Sequence, residues 1–288
     1  MRAEPTKIQR LLIFFLWSVA FFTIGILIFI IGYILIKGLS YVDLKFLLTL
    51  PEKMGKEGGV WPFIFSTLYI TSVCLVISVP LGVGTAIYLS EYTREGWFNS
   101  VIRFGCDCLA GIPSIILGLF GFIFFVIYLK MGWSVLAGGL TVSLMILPFV
   151  IRSSEEAIRA VPCALREASL SLGASRWQTV MRIVLPNALP GILTGIILGI
   201  GKCVGETASL ILTAGSSLRL PVSIFDSGRT LAIHFYILAR EGISMEKAYA
   251  TAAVLIISIL VINIAAYKLM HHFVKRYKRE SIFWIRLQ

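Results

Sequence analysis

The sequence predicts an all-α integral membrane protein that crosses the bilayer six times, and three observations predict it. The first is composition: 58% of the 288 residues are hydrophobic and only 14% charged, with a mean hydropathy of +0.90, too apolar for a chain that dissolves as a globular domain. The second is six stretches near the length of about 20 apolar residues that a helix needs to cross hydrocarbon: Leu11 to Ile36, Phe63 to Leu89, Cys106 to Leu129, Trp133 to Ile151, Ala188 to Leu212 and Ala248 to Met270. The third is where the basic residues fall. In a membrane protein a net charge of +11 reports orientation rather than a nucleic-acid partner. With the N-terminus inside, 16 lysines and arginines lie on the cytoplasmic side, 9 lie outside, and Lys202 lies within a helix. Both termini are therefore expected in the cytoplasm, with lipid as the surrounding partner.

Taken in order, the first stretch follows Arg2, Lys7 and Arg10 as a secretory signal would. It is far longer than the roughly 7 to 15 apolar residues of a cleavable signal and lacks a small-x-small site, so it reads as a retained helix. Gly38 to Pro62, with Lys53, Lys56, Glu57 and Gly58-Gly59, is polar and turn-rich, hence an outer loop. Residues 1–62 are thus read as the N-terminal helix and first outer loop. Residues 63–270 form a core permeated by one cytoplasmic segment at 152–187, and 271–288 form a basic tail.

The second helix contains Pro80 and Gly82, and the third carries Arg103 and Asp107 and meets Pro113. Both are expected to be kinked or locally unwound, and irregular backbone at that depth must face protein or a cavity. Arg103 and Asp107, four apart, read either as a mutually neutralising pair or as part of a gate. The loop from Gly215 to Lys247 includes LAIHFYILAR (Leu231 to Arg240), an amphipathic stretch expected to lie flat on the outer surface with His234 as an interfacial side chain. His271 and His272 close the last helix before the tail, where anionic headgroups suffice as partners. The five cysteines, Cys74, Cys106, Cys108, Cys163 and Cys203, imply no disulfide framework and read as small buried residues. Cys106-x-Cys108 lacks the spacing and second ligand pair of a zinc site, so no metal is expected.

The segment from Arg152 to Pro186 is the one large polar cytoplasmic stretch. Its second half reads as two short helices joined at Gly173, with a helix restart at Pro186, where a missing N–H costs little. Leu165, Ala168 and Leu172 give one half an apolar face. Trp177, Val180, Met181 and Val184 do the same for the other, and Arg166, Glu167, Arg176 and Arg182 supply polar edges. Such a knob suits either a groove on a partner or the inner leaflet.

Here the residues carry a resemblance. Glu167-Ala168-Ser169, three residues to Gly173, nine to Ile183, then Leu185-Pro186 resembles the signature loop of permease subunits of ATP-binding-cassette importers, with Ser169 departing from the usual second alanine. The resemblance implies a type I importer permease (MetI-like) fold. It also implies that Glu167, Ala168, Gly173, Ile183, Leu185 and Pro186 form the coupling element that docks on an ATPase subunit. No G-x-x-x-x-G-K-S/T loop is present, so ATP is expected to be bound and hydrolysed by partner subunits, and the chain to be non-catalytic with no cofactor of its own.

Gly58-Gly59-Val60-Trp61-Pro62, Pro113 to Gly121, Arg152-Ser153-Ser154-Glu155-Glu156 and Gly205-Glu206-Thr207-Ala208 look like phosphate-importer permeases, the last of these most like the PstA-type subunit. That likeness implies inorganic phosphate as substrate. The implied partners are a homologous PstC-like permease, two PstB-like ATPase subunits and a PstS-like external phosphate-binding protein, in the cell's inner or plasma membrane. Phosphate needs positive charge and donors to replace its water. Lys202 is the one cation inside a helix and Arg152 ends another, and Lys202 is expected either to pair with Glu206 four residues on or to serve the path. Glu206 accepts hydrogen bonds only, so it is suited to a phosphate that keeps a proton and unsuited to sulfate. Arg152, Glu155 and Glu156 are read as a second ion station or as ordinary helix-surface pairs, Arg152 with Glu156 and Glu155 with Arg159. Ser114 and Thr207 are candidate neutral donors. Rival readings are a permease for molybdate, sulfate or an amino acid, and a membrane scaffold or insertion factor that does not transport.

Overall fold

The computed structural model describes residues 7–93 and 96–286, with side chains placed in 8–93 and 96–270. The first helix, α1 (Lys7–Leu39), is apolar all round, as a helix surrounded by lipid must be. It touches the rest of the protein near its C-terminal end, where Gly38 sits against Tyr249 and Ala253. A one-turn helix, α2 (Leu44–Leu48), follows, capped by Asp43, which accepts from the Phe46 N–H at 2.6 Å. A small antiparallel hairpin, β1 (Pro51–Glu52) and β2 (Glu57–Gly58), completes the loop.

The second span, α3 (Trp61–Ile87), ends in a wide π-helical turn at Tyr88–Tyr92. The local unwinding considered at Pro80 does not occur: the α-helix runs unbroken through it. Close packing on the fourth span, on both sides of the proline, holds the helix: Val73 lies against Gly139 and Gly82 lies against Val150. These contacts also show that the two helices run side by side in the same direction.

The third stretch departs furthest from expectation. It is two helices, α4 (Trp97–Gly111) and α5 (Ser114–Gly121), the latter extended by a π turn at Phe122–Tyr128, and the two halves meet at 101°. Ile112, forced out of helical geometry by the following proline, adopts φ −73° and ψ 130°, and Pro113 has no N–H to continue the ladder. Among the described residues five helices are long and apolar enough to cross a membrane, or six if the two halves of this bent pair count as one span.

The central helix, α6 (Val135–Arg159), starts at Ser134, whose hydroxyl accepts from the Ala137 N–H at 3.1 Å. Two short helices, α7 (Cys163–Ser171) and α8 (Arg176–Thr179), lead through a π turn at Val180–Val184 into α9 (Leu185–Val204). The helix restart expected at Pro186 is therefore a continuation, with Pro186 in the first turn of α9 where its N–H is dispensable. Gly195 of α9 abuts Ser153 and Gly199 abuts Ile146, so α9 returns antiparallel to α6. After a break at Gly205–Thr207, α10 (Ala208–Thr213) packs on α5, Gly118 lying directly against Ser209. The principal core, with Ile70, Cys74, Met145, Ile146, Cys203 and Leu210, lies where α3, α6 and α9 meet.

Three surface expectations are corrected. Helix α11 (Leu231–Arg240) does not lie flat: Leu231, Ile233, His234 and Leu238 are buried. His234 is stacked on Phe63 with ring centres 4.0 Å apart, 3.3 Å from the Arg229 guanidinium. Its apolar face found the protein rather than the bilayer. Cys108 and Cys163 are exposed, whereas Cys74, Cys106 and Cys203 are buried. The last helix, α12 (Met245–Arg286), continues well past Met270. The side chains of His271, His272 and the basic tail lie outside the described residues, as do Arg2 and the other residues before 7.

Candidate functional site

On α6, Phe149, Arg152 and Glu156 fall at intervals of three and four and so share one face, while Glu155 is turned toward the interior. Their partners settle the charge pattern. Arg152 grips the Asp107 carboxylate of α4 with the Nε–Nη2 edge of its guanidinium: Nη2 donates to Oδ2 at 2.6 Å and to Oδ1 at 2.7 Å, and Nε donates to Oδ1 at 3.2 Å. Glu155, whose side chain is 4% exposed, accepts from Arg103 Nε at 2.8 Å and pairs with Arg159 at 3.2 Å, with Arg152 Nη1 further off at 3.8 Å.

Two expected pairings are corrected by this geometry. Asp107 is held by Arg152 across the helix interface rather than by Arg103 on its own helix. Arg152 meets Asp107 and Glu155 rather than Glu156, although the expected Glu155–Arg159 pair is present. Fork-shaped guanidinium groups favour cross-helix carboxylates that offer two oxygens over a single neighbour along a helix. Together these contacts fasten α4, the first half of the bent span, to α6.

A cavity of about 240 Å³ opens beside this pair, lined by Cys106, Asp107, Ala110, Phe149, Arg152 and Glu156 among others. Lys202 of α9 joins the same face, with its ammonium 3.8 Å from the centre of the Phe149 ring. The anticipated Lys202–Glu206 ion pair is not formed. Lys202 is exposed and rests on the negative face of an aromatic ring, which leaves its charge available. Glu206, 9% exposed, instead accepts from the Ser209 N–H at 3.0 Å and caps the broken end of α10. Thr207 turns back to the Gly205 carbonyl at 3.5 Å, and Ser114 opens α5. Ser114, Glu206 and Thr207 thus mark the starts of two half-helices packed together, while Arg152, Glu156 and Lys202 line the open face of α6 and α9. No three His, Cys, Asp or Glu side chains converge among the described residues.

The knob forms at the far end of α6. Gly173 holds φ +81°, a conformation glycine adopts freely, and so turns α7 into α8. Ser175 and Gln178 close a capping box. Ser169, the departure from the usual alanine, bonds Thr179 at 2.9 Å and braces the two helices against each other. Glu167 and Ala168 are exposed, and Ile183, Leu185 and Pro186 are half-buried. The apolar faces divide: Val180 and Val184 turn inward, whereas Leu172 and Trp177 are 90% and 60% exposed and Leu165, Leu170 and Met181 also face outward. Arg166 anchors the knob to the bundle. It donates to Glu91 on α3's final turn at 2.8 Å and to the carbonyls of Ile158 at 2.8 Å and Val161 at 2.5 Å. Glu91 was not singled out from sequence, and Asp107 was read as a partner of Arg103 rather than of Arg152; the available signal for Glu91 was a charged residue bordering an apolar span.

Residues 78–279 match the family described as binding-protein-dependent transport system inner membrane component. The chain is 37% identical over 258 residues to a probable ABC transporter permease, YqgI, of Bacillus subtilis, covering 84% of this chain and 88% of that one. It is 39% identical over 220 residues to phosphate transport system permease protein PstA 1 of Mycobacterium tuberculosis, covering 75% of this chain and 71% of that one. Among solved structures, a bacterial alginate ABC transporter superposes with a TM-score of 0.67 at 17% identity, covering 91% of this chain and 95% of that one. The MetNI methionine ABC transporter in an inward-facing conformation gives 0.58 at 23% identity, covering 74% and 94%. These two show the fold alone.

Proposed function

The chain belongs to the family of binding-protein-dependent transport system inner membrane components, and from that premise we propose that it carries inorganic phosphate. As an ABC importer permease it works with ATPase subunits and a binding protein. In the proposed assembly those are two PstB-like ATPases and an external PstS-like phosphate-binding protein, and a homologous PstC-like permease supplies the other half of the path. Both termini lie in the cytoplasm in this reading, with the knob facing the ATPases.

The observation that carries the substrate is the pair of cations on one open face. Lys202 rests on Phe149, and Arg152, one helical turn along from Phe149, adjoins a cavity of about 240 Å³. An oxyanion leaving water needs concentrated positive charge and donors, and a guanidinium fork matches two oxygens of phosphate. The PstA relatives support the same substrate. For coupling, the support is the outward apolar rim of Leu172, Trp177 and Met181 beside Glu167 and Gly173, a surface with the character of a groove-filling helix pair. ATP-driven movement of the ATPases would then shift the equilibrium between inward-open and outward-open arrangements.

Uptake of labelled phosphate by the reconstituted transporter, with and without the binding protein, tests this reading. Binding-protein-dependent phosphate uptake is expected. Uptake of molybdate or sulfate without phosphate uptake would replace the substrate and keep the permease.

A further inference from the structure

We propose that Asp107 is an internal competitor for the anion seat on Arg152. In the empty carrier its carboxylate occupies the two-oxygen position that a tetrahedral oxyanion takes during passage. The inference rests on Arg152 lying on the path, as proposed above.

Arg152 faces two kinds of carboxylate, and their settings differ. Glu155 is buried at 4% side-chain exposure and shared among Arg103, Arg159 and, more distantly, Arg152. Removing it would leave charge stranded in the interior, so it is a fixed part of the fold. Asp107 has the opposite character. Its side chain is 60% exposed and that of Arg152 is 37% exposed, and water competes for such a pair, so holding it together contributes little. Yet its geometry is well formed, with two carboxylate oxygens against one guanidinium nitrogen at 2.6 and 2.7 Å. A weakly held, geometrically complete carboxylate is one that another oxyanion with two free oxygens can displace.

The surroundings supply room for the exchange. The adjoining cavity of about 240 Å³ has Asp107 and Arg152 in its wall, and at roughly 30 Å³ per water in the liquid it holds an oxyanion with several waters. Glu156 lines the same cavity, so with Asp107 in place the local charge around Arg152 is unfavourable to a second anion. Displacing Asp107 frees the fork and, because Asp107 lies within the last two turns of α4 before the 101° bend, loosens an ion pair between α4 and α6. The Arg103–Glu155 pair between the same helices remains.

The test is binding of labelled phosphate, and separately of labelled sulfate, to the purified assembled transporter without ATP or binding protein. Asp107→Asn removes the competing charge while keeping a side chain of the same size. Its half-saturating phosphate concentration should fall at least tenfold relative to the unmodified transporter. Asp107→Glu should stay within about threefold of the unmodified value, and Arg152→Gln placed on the Asp107→Asn background should abolish the gain. Unchanged binding of both anions in Asp107→Asn overturns the proposal, as does a gain that survives Arg152→Gln. A gain for sulfate with none for phosphate leaves the competitor standing and overturns the phosphate assignment instead.

Discussion

Arg166 on the knob and Glu91 at the end of α3, 75 residues apart in sequence, meet at 2.8 Å with side chains 18% and 12% exposed. The same guanidinium satisfies the Ile158 and Val161 carbonyls at the end of α6. One side chain therefore ties the knob to the ends of α3 and α6. Charged hydrogen bonds of this kind contribute about 1.5–3 kcal/mol each, so in the proposed coupling role the knob would move together with α3 and α6. Replacing Arg166 with Ala, or Glu91 with Gln, should lower transport at least tenfold while ATPase subunits still co-purify and ATP hydrolysis continues. Parallel uptake and hydrolysis assays check this, and equal loss of both would assign the pair to assembly alone.

Glu155 and Asp107 should respond differently to loss of charge. Glu155→Gln leaves Arg103 and Arg159 without the carboxylate they share at 4% exposure, a change of about 3–5 kcal/mol for a buried pair. Asp107→Asn breaks an exposed pair and should cost about 0–1 kcal/mol. Thermal melting in detergent should show a large drop in Tm for the first and little for the second.

Gly173 tests the turn of the knob. A Cβ at this position meets nothing within 4 Å, so the cost of Gly173→Ala lies in its φ of +81°, about 1–2 kcal/mol for an L-residue. The expected outcome is reduced co-purification of ATPase subunits with the permease still in the membrane. Full retention of the ATPases would remove Gly173 from the coupling element.

Glu206→Gln keeps an amide oxygen for the Ser209 N–H and removes a charge. Uptake should then discriminate less against sulfate, and its pH dependence across about pH 6 to 8, where phosphate exchanges its second proton, should flatten. An unchanged phosphate-over-sulfate ratio would leave Glu206 with only its capping role.

His234 gives a pH prediction. Burial, and then the Arg229 charge, push its pKa down to about 3, below the ordinary value near 6.5. The unfolded chain therefore binds a proton in this window that the folded one refuses. Its contribution to stability is complete above about pH 6.5 and falls by about 1.4 kcal/mol per pH unit down to about pH 3. Melting curves between these limits should lose this slope in His234→Gln, and an unaltered slope would mean that His234 titrates normally.

The sequence by itself determined the elements that depend on local chemistry. Apolar length gave the spans, Pro113 predicted irregularity in the third, and Gly173 with the flanking short helices gave a knob. What it could not decide was which charges meet. Arg103 and Asp107, Lys202 and Glu206, and Arg152 and Glu156 each stand four apart, and spacing along one helix favours such pairs by only a few tenths of a kcal/mol. Tertiary packing offered better partners, Glu155 to Arg103, Asp107 to Arg152 and the Phe149 ring to Lys202, while Glu206 turned to the Ser209 amide three residues along the chain. The same held for α11, whose apolar face suits bilayer or protein equally until α12 and α3 lie beside it. Periodicity fixes which face a residue occupies, but only the assembled helices decide what stands opposite, because the contacts that desolvate a charge come from segments 45 to 75 residues away.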